Sequence, residues 1–294
     1  YSEANEKFWL GVFSADVPDL KLPKDYQRSA VQSFKGSVHY RLIEKALHNK
    51  IEKKCKEMGI TPYVYYMACL SVLLSKLSGN EDIVTGTPIS GRTSRFLDTV
   101  GMFVNTVALR SRPEGNKKFS DLLAEIKEDS ISAIDNQNYP FGGLVKKLGI
   151  EATGRNPLFD IMLAYQSFEM TDITFGDKKV ELIPLTTTTS KCDMTLTVLP
   201  RKDDVVLATE YCTDLFKEDR IEKFTDMYNS LLEVCLEDDK QIKDISVIDE
   251  DELELLNSFN DTAVYYEKDK CIHTLFEEQV ARTPDKTAVV ASDK

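Results

Sequence analysis

Apolar positions in this chain recur with two periods, one close to four residues and one close to two. Residues 42–57 place Ile43, Leu47, Ile51 and Cys55 at four-residue intervals, which predicts an amphipathic helix ended by Gly59. Thr61-Pro62 then reads as a cap followed by proline at the first helical position. The helix that follows, Tyr63 to Leu77, is apolar nearly all round and is expected to be buried; Gly79-Asn80 stops it. Further helices are predicted at 3–12, from a Ser120 cap to Asp135 with Leu122, Leu123, Ile126 and Ile134 inward, from Pro140 to Leu148, and over 217–236.

Short β-branched, apolar runs predict strands at 82–87, 102–109, 158–168, 179–185, 193–199 and 204–211. Asp203-Asp204 would turn the last hairpin. Towards the end, Asp249-x-x-Glu252 has the spacing of a capping box before Leu253. Residues 258–271 lose periodicity, Thr274–Arg282 is amphipathic, and KTAVV at 286–290 would begin another strand. Helices and strands in this mixture predict an α/β fold, a sheet with helices packed on a face.

Composition sharpens this in two respects. The 294 residues carry a net charge of −12, and residues 201–262 hold all of it, with 7 basic against 19 acidic side chains. The balance disfavours nucleic acid or an anionic membrane surface as partner, and no run approaches the ~18 apolar residues of a membrane span. The acidic block itself reads as a solvated face near a domain junction. Six cysteines lie scattered at 55, 69, 192, 212, 235 and 271 without a C-x-x-C, as expected of reduced thiols in a cytoplasmic protein. The start at Tyr1 and the stop just after TAVV suggest a piece of something longer.

Candidate chemistry is sparse. His39, His48 and His273 are isolated from one another and from cysteine, so no metal site is expected, and each reads as a packed or surface histidine. No phosphate-binding, dinucleotide or nucleophile-elbow motif is present. Asn105-Thr106 places polar side chains inside an apolar strand, either as a strand end bonded to nearby backbone or facing a cleft. Gln137 lies in the NQNYPF turn between helices. Arg155 precedes Asn156-Pro157 in an extended turn, exposed, in an internal ion pair or at a site. Ser190 and Asp193 open a strand in SKCD, where a solvated strand start competes with a functional role.

Taken singly these segments identify nothing, but their order does. VGMFVNTVALR (100–110) resembles the fifth core motif of the condensation domains of nonribosomal peptide synthetases, I/V-G-x-F-V-N-T-x-x-x-R. NQNYPFGGL (136–144) resembles the sixth, H/N-Q-D-x-P-F-E, with Asn138 for Asp and Gly142 for Glu. GRNPLFD (154–160) is similar to the end of the seventh, R-D-x-S-R-N-P-L, with Gly154 for Ser. EKFWL (6–10), DIVTGTPISGR (82–92), SKCDMTLTV (190–198) and EYCTDLF (210–216) match further family stretches, although Cys192 replaces an aromatic. LFEEQVARTPDKTAVV (275–290) resembles the opening of an adenylation domain.

The resemblance implies the C-terminal lobe of a condensation domain at 1–245, a linker at 246–274 and the truncated start of an adenylation domain at 275–294. The implied fold is a two-layer α/β sandwich, a chloramphenicol-acetyltransferase-like lobe with a central mixed sheet. The implied reaction joins a carrier-bound acyl or peptidyl thioester to an acceptor aminoacyl group, both riding on phosphopantetheine arms. The family's catalytic H-H-x-x-x-D-G belongs to the N-terminal lobe and does not occur in this sequence. On this reading the chain supplies one wall of the tunnel between lobes and is inactive alone. Asn105, Gln137, Arg155, Ser190 and Asp193 are expected nearest that tunnel. Implied partners are the N-terminal lobe, upstream and downstream carrier domains and the fused adenylation domain, with no directly bound cofactor. A docking lobe without catalysis, and an epimerisation or cyclisation relative, are the alternatives; a stand-alone acyltransferase would need the histidine motif.

Overall fold

The computed structural model describes residues 2–92, 94–150, 154–166, 174–176, 178–179, 187–202, 204–248, 250–265 and 268–291. The chain divides into two compact units, up to Ile248 and from Asp249 onwards. In the first, the elements run α1 (Glu3–Val12), β1 (Gly36–Ile43), α2 (Lys45–Met58), α3 (Pro62–Ser78), β2 (Ile83–Ile89), β3 (Asn105–Ser111), α4 (Phe119–Asp135), α5 (Phe141–Lys147), β4 (Ile161–Tyr165), the short pair β5 (Thr174–Phe175) and β6 (Lys178–Lys179), β7 (Met194–Pro200), β8 (Val205–Cys212) and α6 (Glu218–Glu237). The second contains α7 (Glu250–Asn260) and α8 (Ile272–Arg282).

Six strands form one mixed sheet in the order β1-β8-β7-β4-β2-β3. β7, β4 and β2 are parallel neighbours, and the pairs β1–β8, β8–β7 and β2–β3 are antiparallel. Side chains alternate between the two faces of a strand, so each strand feeds two layers. One face sends Thr85, Val107, Ile161, Leu163, Leu196, Val198, Leu207 and Ile43 into the core beneath the helices. α3 lies at the centre of that layer, and Val64 through Ser75 are all buried. Its tyrosines tie it to α6: Tyr65 donates to the Leu232 carbonyl at 2.9 Å, and Tyr228 donates to the Tyr66 carbonyl at 2.8 Å. On the opposite face Phe159 packs against Phe141 and lies so close to Gly86 that a Cβ there would sit 2.4 Å from its ring. Tyr40 and Leu42 on that face are 51% and 64% exposed.

The local signals around α3 operate as expected. Thr61 caps it by accepting from the Val64 amide, Pro62 occupies the first turn, and Gly79 closes it at φ 73°. Elsewhere the structure corrects the sequence reading. β1 was not expected: its outward positions Val38, Tyr40 and Leu42 are apolar, and its inward ones are His39, Arg41 and Ile43, an inverted alternation. Ile43 therefore ends a strand, and α2 starts at Lys45 rather than at 42. β3 starts at Asn105, not 102, because the preceding loop is held by Arg92. Ser120 does not cap α4; Lys118 is its cap residue, and the Ser120 amide and hydroxyl donate to Asp239 at 2.9 and 3.0 Å. Pro140 is the cap residue of α5 rather than its first helical position. β4 starts only at Ile161. Of the strand expected at 179–185 only Lys179 is described, at the end of β6; residues 180–185 and the capping residue Asp249 lie outside the described residues. α7 extends to Asn260, past the point where periodicity is lost, and 286–290 is not a strand. Among the described residues, no single helix is long and apolar enough to cross a membrane.

The long segment between α1 and β1 crosses the sheet end and is pinned at Asp25. The Asp25 and Tyr26 amides both donate to the Leu215 carbonyl. The Asp25 carboxylate accepts from Arg220 Nε and Nη2 at 2.8 Å each and from the Lys217 amide at 2.9 Å. These hydrogen bonds, that of Arg220 foremost, lower its pKa from 3.8 to about 2. A depressed folded-state pKa stabilises the fold above the unfolded-state value, and the stabilisation is lost as pH falls through the folded-state value. Titration followed by carboxyl NMR is expected to place Asp25 at about 2, and in the Arg220→Ala protein near the ordinary value of about 3.9. Urea unfolding is expected to show Asp25→Asn less stable than wild type above about pH 4, with the difference disappearing near pH 2.

Candidate functional site

The parallel strands give the sheet two chemically different ends. β4 and β7 begin side by side, with Ile161 opposite Met194, so the residues just before them, Asp160 and Asp193, are neighbours. Both are buried, at 2% and 7% exposed. Arg155 grips Asp160 through Nε and Nη2 and reaches Asp19 with Nη1. Arg28 bonds Asp193 and stands 3.8 Å from Asp160, so it bridges the two carboxylates, and Lys24 lies 3.9 Å from Asp193. Burial, reinforced by the charge of Asp193, raises the pKa of Asp160 against the pull of Arg155 and Arg28. Burial opposes the charge on Arg28 more than any one contact favours it, but the bond to Asp193 and the charges of Asp193 and Asp160 together hold the guanidinium above its usual value.

Ser190 belongs to the same end. It is buried, and its hydroxyl donates to the Cys192 carbonyl at 2.6 Å while its amide donates to the Phe34 carbonyl at 2.9 Å. Asn156 clasps the segment by donating to the Lys191 carbonyl at 2.6 Å and lying 3.2 Å from Cys192 Sγ. Burial pushes the Cys192 thiol up to about 12, so it stays protonated. Leu158 is buried in a left-handed conformation at φ 71°, the only non-glycine residue so placed among the described residues. Such backbone costs about 1–3 kcal/mol and persists where its surroundings fix it. A 520 Å³ open cavity flanks the cluster, lined by Tyr26, Arg28, Gln32, Gly154, Asp193 and Asp214.

Asn105 and Gln137 meet at the other end. Asn105 opens β3 opposite Ile89, the last residue of β2. Its Nδ2 donates to the Gln137 carbonyl, and its Oδ1 accepts from the Thr106 amide at 2.8 Å. The turn carrying Gln137 is in turn held by α1: Trp9 Nε1 donates to the Asn136 carbonyl and Asn5 donates to Asn136 Oδ1, each at 2.9 Å. The loop leading into Asn105 is fixed from within. Arg92 donates to the carbonyls of Phe96, Thr99 and Gly101 at 2.7–2.8 Å and lies 4.5 Å over the Phe103 ring. Gly91, at φ 64°, leaves no room for a side chain, since a Cβ would meet the Phe103 carbonyl at 2.0 Å.

The five residues singled out in the sequence therefore fall into two groups, Arg155–Ser190–Asp193 and Asn105–Gln137, at opposite ends of the parallel strands. Sequence reasoning did not single out Arg28, Asp160 or Asp82. Arg110 closes the stretch at 100–110, and it binds Asp82 at 2.7 Å and the carbonyls of Val12 and Asp16. Its side chain is 4% exposed, so it secures α1 to the sheet. His48 is buried, with Nδ1 3.0 Å from the Tyr66 hydroxyl, and burial lowers its pKa. His39 lies on β1, and His273 is exposed on α8.

This arrangement can be compared with known proteins. A family model described as the condensation domain matches residues 2–257. The chain belongs to the condensation-domain family. This condensation-domain chain is 39% identical over 298 residues to gramicidin S synthase 2 of Brevibacillus brevis, covering 99% of the chain and 7% of that protein. It is 37% identical to bacitracin synthase 3 of Bacillus licheniformis, covering 98% of the chain and 5% of that protein. The chain thus spans under a tenth of the length of these relatives. In fold it is similar to a four-domain nonribosomal peptide synthetase bound to AMP and glycine, with TM-score 0.80 at 20% identity over 97% of this chain and 23% of that one. It is also similar to the first condensation domain of the calcium-dependent antibiotic synthetase, with TM-score 0.68 at 13% identity, covering 84% of this chain and 53% of that one.

The charged end of this condensation-domain fold carries a direct test. Removing one partner of a buried pair strands the other charge, which destabilises by about 3–5 kcal/mol. Arg28→Ala and Asp193→Ala are each expected to lower the urea-unfolding free energy by about that amount. The double variant should cost much less than the sum, and strict additivity in the cycle would show that the pair is not coupled.

Proposed function

We propose that residues 1–245 are the C-terminal lobe of a condensation domain, 246–274 a linker and 275–294 the opening of an adenylation domain. The observation that carries this is the ordered series of family stretches along the chain, whose sequence holds no H-H-x-x-x-D-G. The coverage of 53% of a solved condensation domain supports a lobe rather than a whole domain. The parent reaction is amide formation. The acceptor amine attacks the carbonyl of the donor thioester, a tetrahedral oxyanion forms, and the thiolate leaves as the amine loses its proton. Both substrates arrive on the phosphopantetheine arms of carrier domains. Catalysis then rests largely on holding two tethered reactants in register.

In this scheme the chain forms one wall of the tunnel, and the catalytic histidine comes from the N-terminal lobe. Ligands of open α/β sheets gather outside the carboxyl ends of the parallel strands. That end carries Asn105 and Gln137, whose mutual bond fixes the start of β3 against the end of α4. Arg155, Ser190 and Asp193 act at the opposite end, where they set the positions of β4 and β7.

The test is an amide-forming assay with loaded donor and acceptor carrier domains. The 294-residue chain alone is expected to give no product, and the same chain joined to its upstream lobe is expected to give amide. Product from the chain alone overturns the reading. Carrier binding without product from the joined lobes would favour the docking alternative.

A further inference from the structure

A second cavity adjoins the Asn105–Gln137 contact. It measures 430 Å³ and opens between the start of α3, the far part of α4 and the ends of β2 and β3. Its walls include Pro88, Ile89, Val107, Leu109 and Ile134, with the rings of Tyr63 and Tyr165. The volume lies within the range of about 300–1,000 Å³ typical of small-molecule sites, which are mostly apolar with a few placed polar groups. Asn105, Val107 and Leu109 share one face of β3, and the Gln137 amide donates to the Ile134 carbonyl at 3.2 Å. The cavity and the candidate tunnel residues are therefore adjacent on both elements.

Two hydroxyls in that wall, those of Tyr63 and Ser130, make no hydrogen bond among the described residues. Ser130 on α4 is 7% exposed, and its hydroxyl has no hydrogen-bond partner among the described residues. A buried serine in a helix ordinarily donates back to the carbonyl four residues earlier. Ser71 and Ser78 on α3 do so, at 2.9 and 2.7 Å. Ser130 lines the cavity without that bond. A buried hydroxyl in an apolar wall is met by a water or a ligand atom in the cavity it lines.

We propose that this cavity binds the aliphatic portion of one of the two thioester-linked substrates, with the Ser130 hydroxyl donating to an oxygen carried by that group. The identity of the bound chain rests on the function proposed above; binding of an aliphatic chain bearing one oxygen rests on the cavity alone. The probe is the hexanoyl thioester of N-acetylcysteamine, titrated into the 294-residue chain labelled with ¹³C at isoleucine, leucine and valine methyls. Acetyl thioester and 1-hexanol serve as comparisons.

The hexanoyl thioester and 1-hexanol are expected to shift Ile89, Val107, Leu109 and Ile134 methyls, and the acetyl thioester to leave them in place. Ser130→Ala should weaken hexanoyl binding about three- to tenfold while methyls remote from the cavity keep their positions. Ala133→Phe, which fills the cavity, should abolish it. Unmoved methyls with the hexanoyl thioester, or unchanged affinity in Ser130→Ala, would overturn the proposal. None of these readouts needs amide formation, so they fail or succeed independently of the assay for the parent reaction.

Discussion

Two carboxylates at the starts of adjacent parallel strands are the constraint around which this fold is arranged. Asp160 and Asp193 are neighbours in register and buried, so each raises the electrostatic cost of the other. Neither can be neutralised from within the sheet. Arg155 comes from the turn before β4, and Arg28 from the long segment before β1. Arg28 stands within ion-pair distance of both carboxylates, so matching the charges also determines where residues 13–35 must run. That path is reinforced at Asp25 by Arg220 and at Asp19 by Arg155. A buried pair adds little stability relative to an apolar core, but it tolerates few geometries. Its contribution here is to fix the relative heights of β4 and β7, and with them everything at the far ends of those strands.

The far end works with the opposite means. The Asn105–Gln137 contact is made of neutral amides, and the loop before it is organised by one arginine over an aromatic ring. Carbonyls turned inward to Arg92 leave Leu97, Val100 and Met102 exposed on the loop rim. That end therefore combines neutral positioning amides with exposed apolar surface.

The legibility of the sequence follows from where its information resides. α3 could be read because its cap, its proline, its apolar run and its closing glycine all act within a few residues. β1 could not, because its inward face carries His39 and Arg41, and Arg41 is matched by Asp226 on α6. Periodicity sees apolarity and misses a burial settled by a partner some 185 residues away. The same limit hides Arg28: its carboxylate lies 165 positions downstream. Arg155 stood out as a candidate, with an internal ion pair among its readings, and it pairs with Asp160 only five positions on, at a strand start. Asn105 was visible as a polar intrusion in an apolar run, and the structure gives it one backbone partner next door, the Thr106 amide, and one 32 positions on, the Gln137 carbonyl.

The acidic segment at 201–262 shows how a sequence-level asymmetry is resolved in space. Read linearly, it is a solvated face with a charge of −12. In the folded first unit several of its carboxylates face basic or hydroxyl groups from distant segments: Asp214 meets Lys35 and Ser33, Asp226 meets Arg41, and Asp239 meets Lys118 and Ser120. Exposed pairs of this kind contribute about 0–1 kcal/mol each, too little to hold the unit together. Their partners nevertheless lie at the two ends of the segment before α2 and at the start of α4, where hydrophobic burial alone specifies position weakly. The charge carried by β8, α6 and their connections therefore sets where an edge strand and a helix terminus attach, while the apolar faces of α3 and the sheet supply the energy of attachment.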